Sequence, residues 1–251
     1  MPTTGGFFSL HALASWRMQQ RLNTAGDLKA FVAGEPRLAA VWAGLERRPT
    51  TDVAHDLQHA LRVAVWTLKI APELDACEAV AAALLHDFVN VPKDSDARAA
   101  ASEQSAAQAR EVLEACAFDS QSIERISVAI RTHSYSRGEA PTTPLGRALQ
   151  DADRLEALGA LGICRTLSTG ARLGARYFDP EDPWAERRPL DDLQNTVDHF
   201  FTKLLGLVDS MQTPLGRAEA ERRSDFMRQF LRQLGEELGI SVQVHGHRSL
   251  G

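Results

Sequence analysis

The chain has 251 residues, a formal net charge of −5 and a hydrophobic content of 44%. This length can bury a substantial core without disulfides, and the mildly acidic charge argues against a protein that binds polymeric nucleic acid through a basic face. No apolar run approaches the roughly 20 residues that a membrane span needs, and no basic-then-apolar leader opens the chain. We therefore expect a soluble, cytoplasmic protein.

The three cysteines, Cys77, Cys116 and Cys164, lie far apart in the sequence and form no C-x-x-C pair. An odd number of widely spaced cysteines is typical of reduced thiols in a cytosolic protein and not of a disulfide framework. We expect all three to act as small, buried apolar side chains.

Helical periodicity extends along nearly the whole chain, and alanine and leucine are abundant. Alternating β-branched or aromatic runs are nearly absent, apart from the short ISVQV close to the end. In chain order, the pattern predicts helices at residues 10–22, one or two within 26–49, and then at 52–70, 73–88, about 95–117, 120–132, 145–174, 191–207 and 215–238.

The sequence contains no fixed-period repeat, no low-complexity block and no linker that would divide two cores. We therefore expect an all-α protein with a single domain. In this interpretation a helical segment at 1–50 packs on a core at 51–170, a loop and helices at 171–240 complete the same domain, and 241–251 is a tail.

Several histidines and aspartates stand at positions that suggest a metal site. The apolar run AAALLHDFVN contains His86 followed at once by Asp87, and burying both side chains is costly unless something binds them together. The preceding helix carries His59 in HDLQHALRV, and QDADRLEAL brings Asp151 and Asp153. Two imidazoles and two carboxylates suit one divalent cation that keeps open positions for water and substrate.

These motifs in this order, HxxRV, LLHD and DADRLEALG, resemble the HD superfamily of metal-dependent phosphohydrolases. The resemblance spans residues 51 to about 169 and implies an HD-domain helical bundle. It implies that His59, His86, Asp87 and Asp153 hold one divalent ion, which could be Mn, Mg, Fe, Co or Ni. The ADxL register of the family matches Asp153, so Asp151 is expected to cap a helix or to orient a ligand.

Further motifs are similar to a bacterial subfamily of nucleotide-pyrophosphatase-like HD proteins. They are HDFVNVPKD, HSYS, QDADRLEALGA and the distal LDDLQNTVDHFF with MQTPLGRAEAERR, which extend the likeness to about residue 237. This likeness implies that the C-terminal helices cover the site. His199 and Lys203, one turn apart, are expected to form a surface pair, and 179–184 is either a substrate loop or part of the core.

Three side chains are expected to meet the substrate phosphate. A phosphate in the site needs a cation that offsets the negative charge of the transition state, and Lys93 and Arg154 are the best placed. His133 is expected either to contact the phosphate or to support a ligand. For each residue a structural alternative stays open, namely a solvated loop for Lys93 and His133 and an ion pair for Arg154.

The resemblance implies a hydrolase in which a metal-activated water attacks the phosphorus of a nucleotide or another small phosphate ester or anhydride. Asp151 is the candidate that orients this water. Pyrophosphate release and monoester cleavage remain open, and a homodimer is possible. Two alternatives stand: a non-haem iron oxygenase of the same fold, which needs a second metal and more histidine ligands, and a non-catalytic ligand-binding HD module.

Overall fold

The computed structural model describes residues 22–47, 57–89, 98–134 and 140–241. In these residues the chain forms α1 (Ala25–Gly34), α2 (Pro36–Glu46), α3 (Leu57–Ile70), α4 (Ala76–Leu85), α5 (Arg98–Ala115), α6 (Ser120–Thr132), α7 (Pro144–Leu155), α8 (Gly159–Leu173), α9 (Asp198–Thr202), a 3₁₀-helix (Leu204–Ser210) and α10 (Pro214–Leu238). The β pairing in this part of the chain is one isolated bridge between Arg176 and Asn195. The all-α prediction is confirmed.

Polar side chains fix where several of these helices begin. Thr24, Asp75, Asp119 and Thr213 each stand just before a helix and accept a backbone N–H from its first turn. Such caps satisfy donors that have no partner within the helix. Because these caps are local in sequence, the start of α6 agrees with the predicted start of its helix, and the start of α10 lies one residue from it.

The chain divides into two compact units, Met1–Ala152 and Asp153–Gly251. In the first unit α4 packs against α3 and α6, and α5 packs against α6. Most of α4 is fully buried, and its many alanines let neighbouring helices approach closely. The central position of α4 sets the place of the residues that follow its C-terminal end.

In the second unit α10 packs against α8 and the 3₁₀-helix. The segment between α8 and α9 is irregular but firmly held. The buried carboxylate of Asp198 pairs with Arg188, and the indole N–H of Trp184 donates to the Ile240 carbonyl at 3.0 Å. Within 179–184, Trp184 is 4% exposed, which favours the core alternative for this side chain.

The prediction of one long helix at 145–174 is wrong, because the chain breaks between α7 and α8. Leu158 leaves the helical region for an extended conformation, and Gly159 has φ +72°. A glycine adopts this left-handed conformation without the steric cost that a side chain brings. Gly159 therefore allows the chain to break between α7 and α8 instead of continuing as one helix.

The prediction of a helix at 191–207 is also wrong in its first half. Residues 191–197 form turns, and a short α9 and the 3₁₀-helix follow. The Asp191 carboxylate accepts the backbone N–H groups of Leu193 and Gln194. Such side-chain bonds compete with the helical backbone, which explains why the amphipathic pattern does not form a helix here.

Other expectations have mixed outcomes. The three cysteines are free thiols, but Cys164 is exposed and the other two are half-buried, so the prediction that all are buried is wrong. None of the helices in the described residues is long and apolar enough to cross a membrane. The helix at 10–22 and most of the ISVQV stretch lie outside the described residues. The single-domain organisation stays a prediction.

Candidate metal centre

Two buried histidines from neighbouring helices face each other in the first unit. His59 lies in the first described turn of α3, and His86 is the residue at which α4 ends. Each is 1% exposed, and their Nε2 atoms are 3.3 Å apart. Two ring nitrogens at this distance either share a proton or face a common cation. The close packing of α3 on α4 produces this pairing.

Asp87 completes a group of three possible ligands. Its Oδ2 lies 3.5 Å from Nε2 of His86 and 4.0 Å from Nε2 of His59. The Asp87 side chain is 31% exposed, whereas both imidazoles are buried. The group therefore opens to solvent at the carboxylate, which is the side from which an ion or a substrate could enter.

A backbone carbonyl fixes the tautomer of His86. Its Nδ1 lies 2.7 Å from the Ala83 carbonyl oxygen, which can only accept a hydrogen bond. Nδ1 must therefore carry the proton, and in the neutral ring Nε2 keeps its lone pair. Metal-ligating histidines usually donate their second nitrogen in this way, so this bond prepares His86 to bind an ion through Nε2.

His133 repeats the same arrangement from α6. It follows the last residue of that helix, is 5% exposed, and places Nδ1 2.6 Å from the Ile130 carbonyl oxygen. Its Nε2 lies 3.6 Å from Oδ1 of Asp87. The Asp87 carboxylate thus has one oxygen towards the pair of His59 and His86 and the other towards His133.

The donor set of His59, His86 and Asp87 fits a divalent transition metal. Ligand atoms bound at about 2.1 Å to one ion in a tetrahedral or octahedral array lie roughly 3.0–3.4 Å from one another. The observed separations of 3.3, 3.5 and 4.0 Å are close to this range and need only a small rotation of the carboxylate. Two imidazoles and one carboxylate are ligands that first-row metals prefer. These three residues could therefore hold a metal.

The two aspartates of the DADRL motif have different positions. Asp151 is fully buried on α7 within the first unit and does not belong to the group of His59, His86 and Asp87. Asp153 belongs to the second unit and is partly exposed. The assignment of Asp153 as the fourth ligand, and of Asp151 as a residue that orients water, stays a prediction.

The predicted phosphate-binding cations are not yet tested. Lys93 lies outside the described residues. The guanidinium of Arg154 donates from Nη1 to the Ser210 carbonyl in the second unit. This hydrogen bond to a carbonyl tests neither the expected ion pair of Arg154 nor its substrate-binding role, and both stay predictions.

The second unit holds a histidine–aspartate pair that the sequence pattern did not predict. Nδ1 of His199 lies 2.6 Å from Oδ2 of Asp192, which also accepts from the Thr202 hydroxyl. The expected surface pair of His199 with Lys203 stays a prediction. Burial raises the pKa of Asp192, but these hydrogen bonds outweigh that effect and hold it below its usual value. The pairing depends on the turns at 191–197, which the helical pattern did not predict.

Comparison with known proteins finds a family model and several relatives that are similar to this chain. The HD domain family model matches residues 56–158. The uncharacterised protein YpgQ of Bacillus subtilis is 34% identical over 198 residues, which cover 76% of this chain and 88% of YpgQ. The crystal structure of YpgQ in complex with ADP is similar, with a TM-score of 0.57 and 28% identity over 88% of this chain and 96% of that one.

A crystal structure of an HD-superfamily hydrolase from Bacillus thuringiensis is also similar. Its TM-score is 0.63 at 27% identity, and the match covers 84% of this chain and 98% of the other. These likenesses extend through both compact units and are not limited to the helices that carry His59, His86 and Asp87.

Proposed function

Since the chain belongs to the HD superfamily and has the fold of its hydrolases, we propose that it is a metal-dependent phosphohydrolase. Its substrate in this proposal is a nucleotide or another small phosphate ester or anhydride. The observation that carries the proposal is the group of His59, His86 and Asp87, which joins two buried imidazoles to a carboxylate that reaches solvent.

In this proposal His59, His86 and Asp87 hold one divalent ion, with Asp153 as the fourth ligand. The ion, when bound, lowers the pKa of a water molecule and polarises a phosphoryl oxygen. His86 is held ready by its hydrogen bond to the Ala83 carbonyl, so little reorganisation is needed when the ion enters. The buried surroundings of both imidazoles keep water away from their ring nitrogens.

The remaining roles follow from position and charge. His133 faces the outer oxygen of Asp87 and is proposed to contact the substrate phosphate there. This contact requires a proton on Nε2 in addition to the one that Nδ1 donates to the Ile130 carbonyl. Lys93 and Arg154 are proposed to offset the negative charge that develops on the phosphate. Asp151 is proposed to orient the attacking water through its carboxylate. The metal is Mn, Mg, Fe, Co or Ni in this proposal.

One finding and the chemistry of the proposed site support a nucleotide as the substrate class. The relative YpgQ has been crystallised in complex with ADP, and the match covers 96% of that chain. A divalent ion beside an imidazole and cationic side chains also suits a polyphosphate, whose charge needs several partners. The free thiols support a reducing compartment, and we propose that the protein acts in the cytoplasm.

One observation favours a second candidate, the non-haem iron oxygenase of HD fold. His133 adds a third imidazole beside Asp87, so histidine ligands are less scarce than the sequence suggested. Elemental analysis separates the two candidates. One metal equivalent per chain supports the phosphohydrolase, whereas two iron equivalents together with oxygen consumption support the oxygenase.

The test of the proposed function is a hydrolysis assay on a panel of nucleoside triphosphates, diphosphates, monophosphates and simple phosphomonoesters. Purified protein is stripped with a chelator and reloaded with each of the five metals in turn. Measuring phosphate and pyrophosphate separately identifies the bond that breaks. We expect turnover only with metal, and its absence for every substrate and metal would favour the non-catalytic ligand-binding module.

Variants test the ligand assignment. His86→Ala and Asp87→Asn should abolish metal retention and hydrolysis together, because the first removes a ligand nitrogen and the second replaces a charged carboxylate by a weakly ligating neutral amide. Asp225→Asn is the matched control, since this carboxylate is 69% exposed and pairs with Arg228 one turn away on α10. Asp153→Asn should reduce metal occupancy more than Asp151→Asn, and the opposite order would move the fourth ligand by two residues.

A further inference from the structure

Gln150 is a buried polar residue in the QDADRLEALGA motif to which neither the metal nor the hydrolysis gives a role. It lies on α7 and is 1% exposed. Its Nε2 donates to the carbonyl oxygen of Thr132 at 3.2 Å. Thr132 is the last residue of α6, so its carbonyl is among the four at the helix end that have no partner within the helix.

The hydrogen bond from Gln150 to the Thr132 carbonyl holds the backbone at the end of α6, directly before His133. Thr132 is 3% exposed and His133 is 5% exposed, so the helix end is not open to bulk water that could replace the amide. A buried carbonyl left without a donor is costly, and the chain would shift to find one. Any shift of Thr132 is transmitted to His133, because the two are adjacent in the chain.

The orientation of the Gln150 amide is determined by this contact. The Thr132 carbonyl can only accept, so the NH₂ group must face it and Oε1 must point elsewhere. Oε1 is buried and has no hydrogen-bond partner in the described part of the chain. A residue that filled space alone would be apolar here, because a buried unsatisfied amide oxygen is unfavourable. The donor that Nε2 provides is therefore what the site requires.

Close packing leaves α7 little freedom against the end of α6. Gly146 stands one turn before Gln150 on the same face of α7. A Cβ atom at Gly146 would lie 3.2 Å from Oγ1 of Thr132, 3.1 Å from Cβ of Pro141 and 3.0 Å from Oγ1 of Thr143. Gly146 and Gln150 thus place α7 against the end of α6 at two points that are one turn apart.

We infer that Gln150 is a positioning residue that fixes His133 opposite Oδ1 of Asp87. Its amide acts through the Thr132 carbonyl and sets the direction in which the His133 ring leaves the helix. This inference rests on the proposed function for the role of His133 in binding phosphate. The placement of the His133 ring itself is a structural consequence that can be measured without turnover.

The activity test is a double-mutant cycle between positions 150 and 133. Gln150→Met keeps the side-chain length and removes the donor, and we expect a fall of about tenfold in kcat/KM with the metal content unchanged. In a His133→Gln background, Gln150→Met should have no further effect on kcat/KM, because the residue through which it acts is gone. An equal fall in both backgrounds would overturn the inference.

Gln121→Met is the matched control, because Gln121 is exposed in the first turn of α6, far along the helix from His133. It should leave kcat/KM unchanged. A loss of activity in this control equal to that of Gln150→Met would assign the effect to methionine substitution in general and would also overturn the inference.

A second readout separates this inference from the proposed function. The ring ¹⁵N and ¹H signals of His133, assigned by their loss in His133→Gln, should shift in Gln150→Met, while those of His199 stay in place. Should Gln150→Met fail to fold, Gly146→Ala provides a second test, since its Cβ would lie 3.2 Å from Oγ1 of Thr132 and would require the contact between α7 and the end of α6 to adjust by a few tenths of an ångström. Unchanged His133 signals in the folded variant would refute the positioning role. Shifted signals in a protein that hydrolyses nothing would retain it and refute the hydrolase.

Discussion

The buried ion pair of Arg188 and Asp198 offers a quantitative test of how the second unit is held together. Asp198 is fully buried, and its two oxygens accept from both terminal nitrogens of Arg188. The same carboxylate accepts the backbone N–H of Asp191 at 2.7 Å. The hydrogen bond to Asp198 is the main reason that the pKa of Arg188 is raised above its usual value.

Asp198→Asn should destabilise the protein strongly. The amide removes the charge, keeps only one acceptor oxygen and turns an NH₂ group towards groups that can only donate. Breaking a buried ion pair costs about 3–5 kcal/mol. Arg188 is 19% exposed, so water can partly solvate the guanidinium that is left, and we expect the lower end, about 3 kcal/mol. This is a large share of the roughly 5–15 kcal/mol that stabilises a typical domain.

Urea unfolding followed by far-ultraviolet circular dichroism measures this change. The matched control is Asp225→Asn. The Asp225 carboxylate is 69% exposed and forms an ion pair with Arg228 at 3.0 Å, which this substitution breaks. A pair of this kind contributes at most about 1 kcal/mol. The ratio of the losses of unfolding free energy in Asp198→Asn and Asp225→Asn tests whether burial of the carboxylate determines the cost of the substitution. Equal losses of unfolding free energy would refute the reasoning, because the chemical change is the same in both.

Three further outcomes are expected from other parts of the molecule. Gly170→Ala should lose about 1–3 kcal/mol in a urea titration, because its Cβ would lie 2.1 Å from Oγ1 of Thr196; adding Thr196→Ala should recover part of this loss, and strict additivity would contradict the clash. Although burial raises the pKa of Asp192, the hydrogen bonds that it accepts lower it below 3.8. Its contribution to stability is therefore present above about pH 4 and is lost as the pH falls through the folded-state pKa. Asp192→Asn should accordingly lose less unfolding free energy than the natural chain between pH 5 and pH 2, and a parallel loss would count against this contribution. Burial raises the pKa of Cys77 to about 11, so at pH 8 about one thiol in a thousand is ionised. Mass spectrometry after brief alkylation should find the exposed Cys164 modified well before Cys77, and equal rates would contradict its burial.

Local sequence patterns determined most of the helices and the doublet around which the site forms. Apolar residues at three- and four-residue steps predict α3, and a continuous alanine-rich apolar run predicts α4. The polar residues before α6 and α10 mark where those helices begin. The pair of His86 and Asp87 at the end of an apolar run indicated a buried polar site, because such a pair needs a partner. These features depend on residues that are close in sequence, so they can be predicted from the sequence alone.

The tertiary structure decided which side chains meet. His133 faces Asp87 because α6 packs on α4, and Gln150 reaches Thr132 because α7 lies close to the end of α6, where Gly146 has no side chain. The breaks at Leu158 and after Asp191 depend on a left-handed glycine and on side-chain bonds that compete with a helix. Periodicity reports which face of a helix is apolar, but it carries no information on the partner helix or on the rotation that brings two polar atoms together.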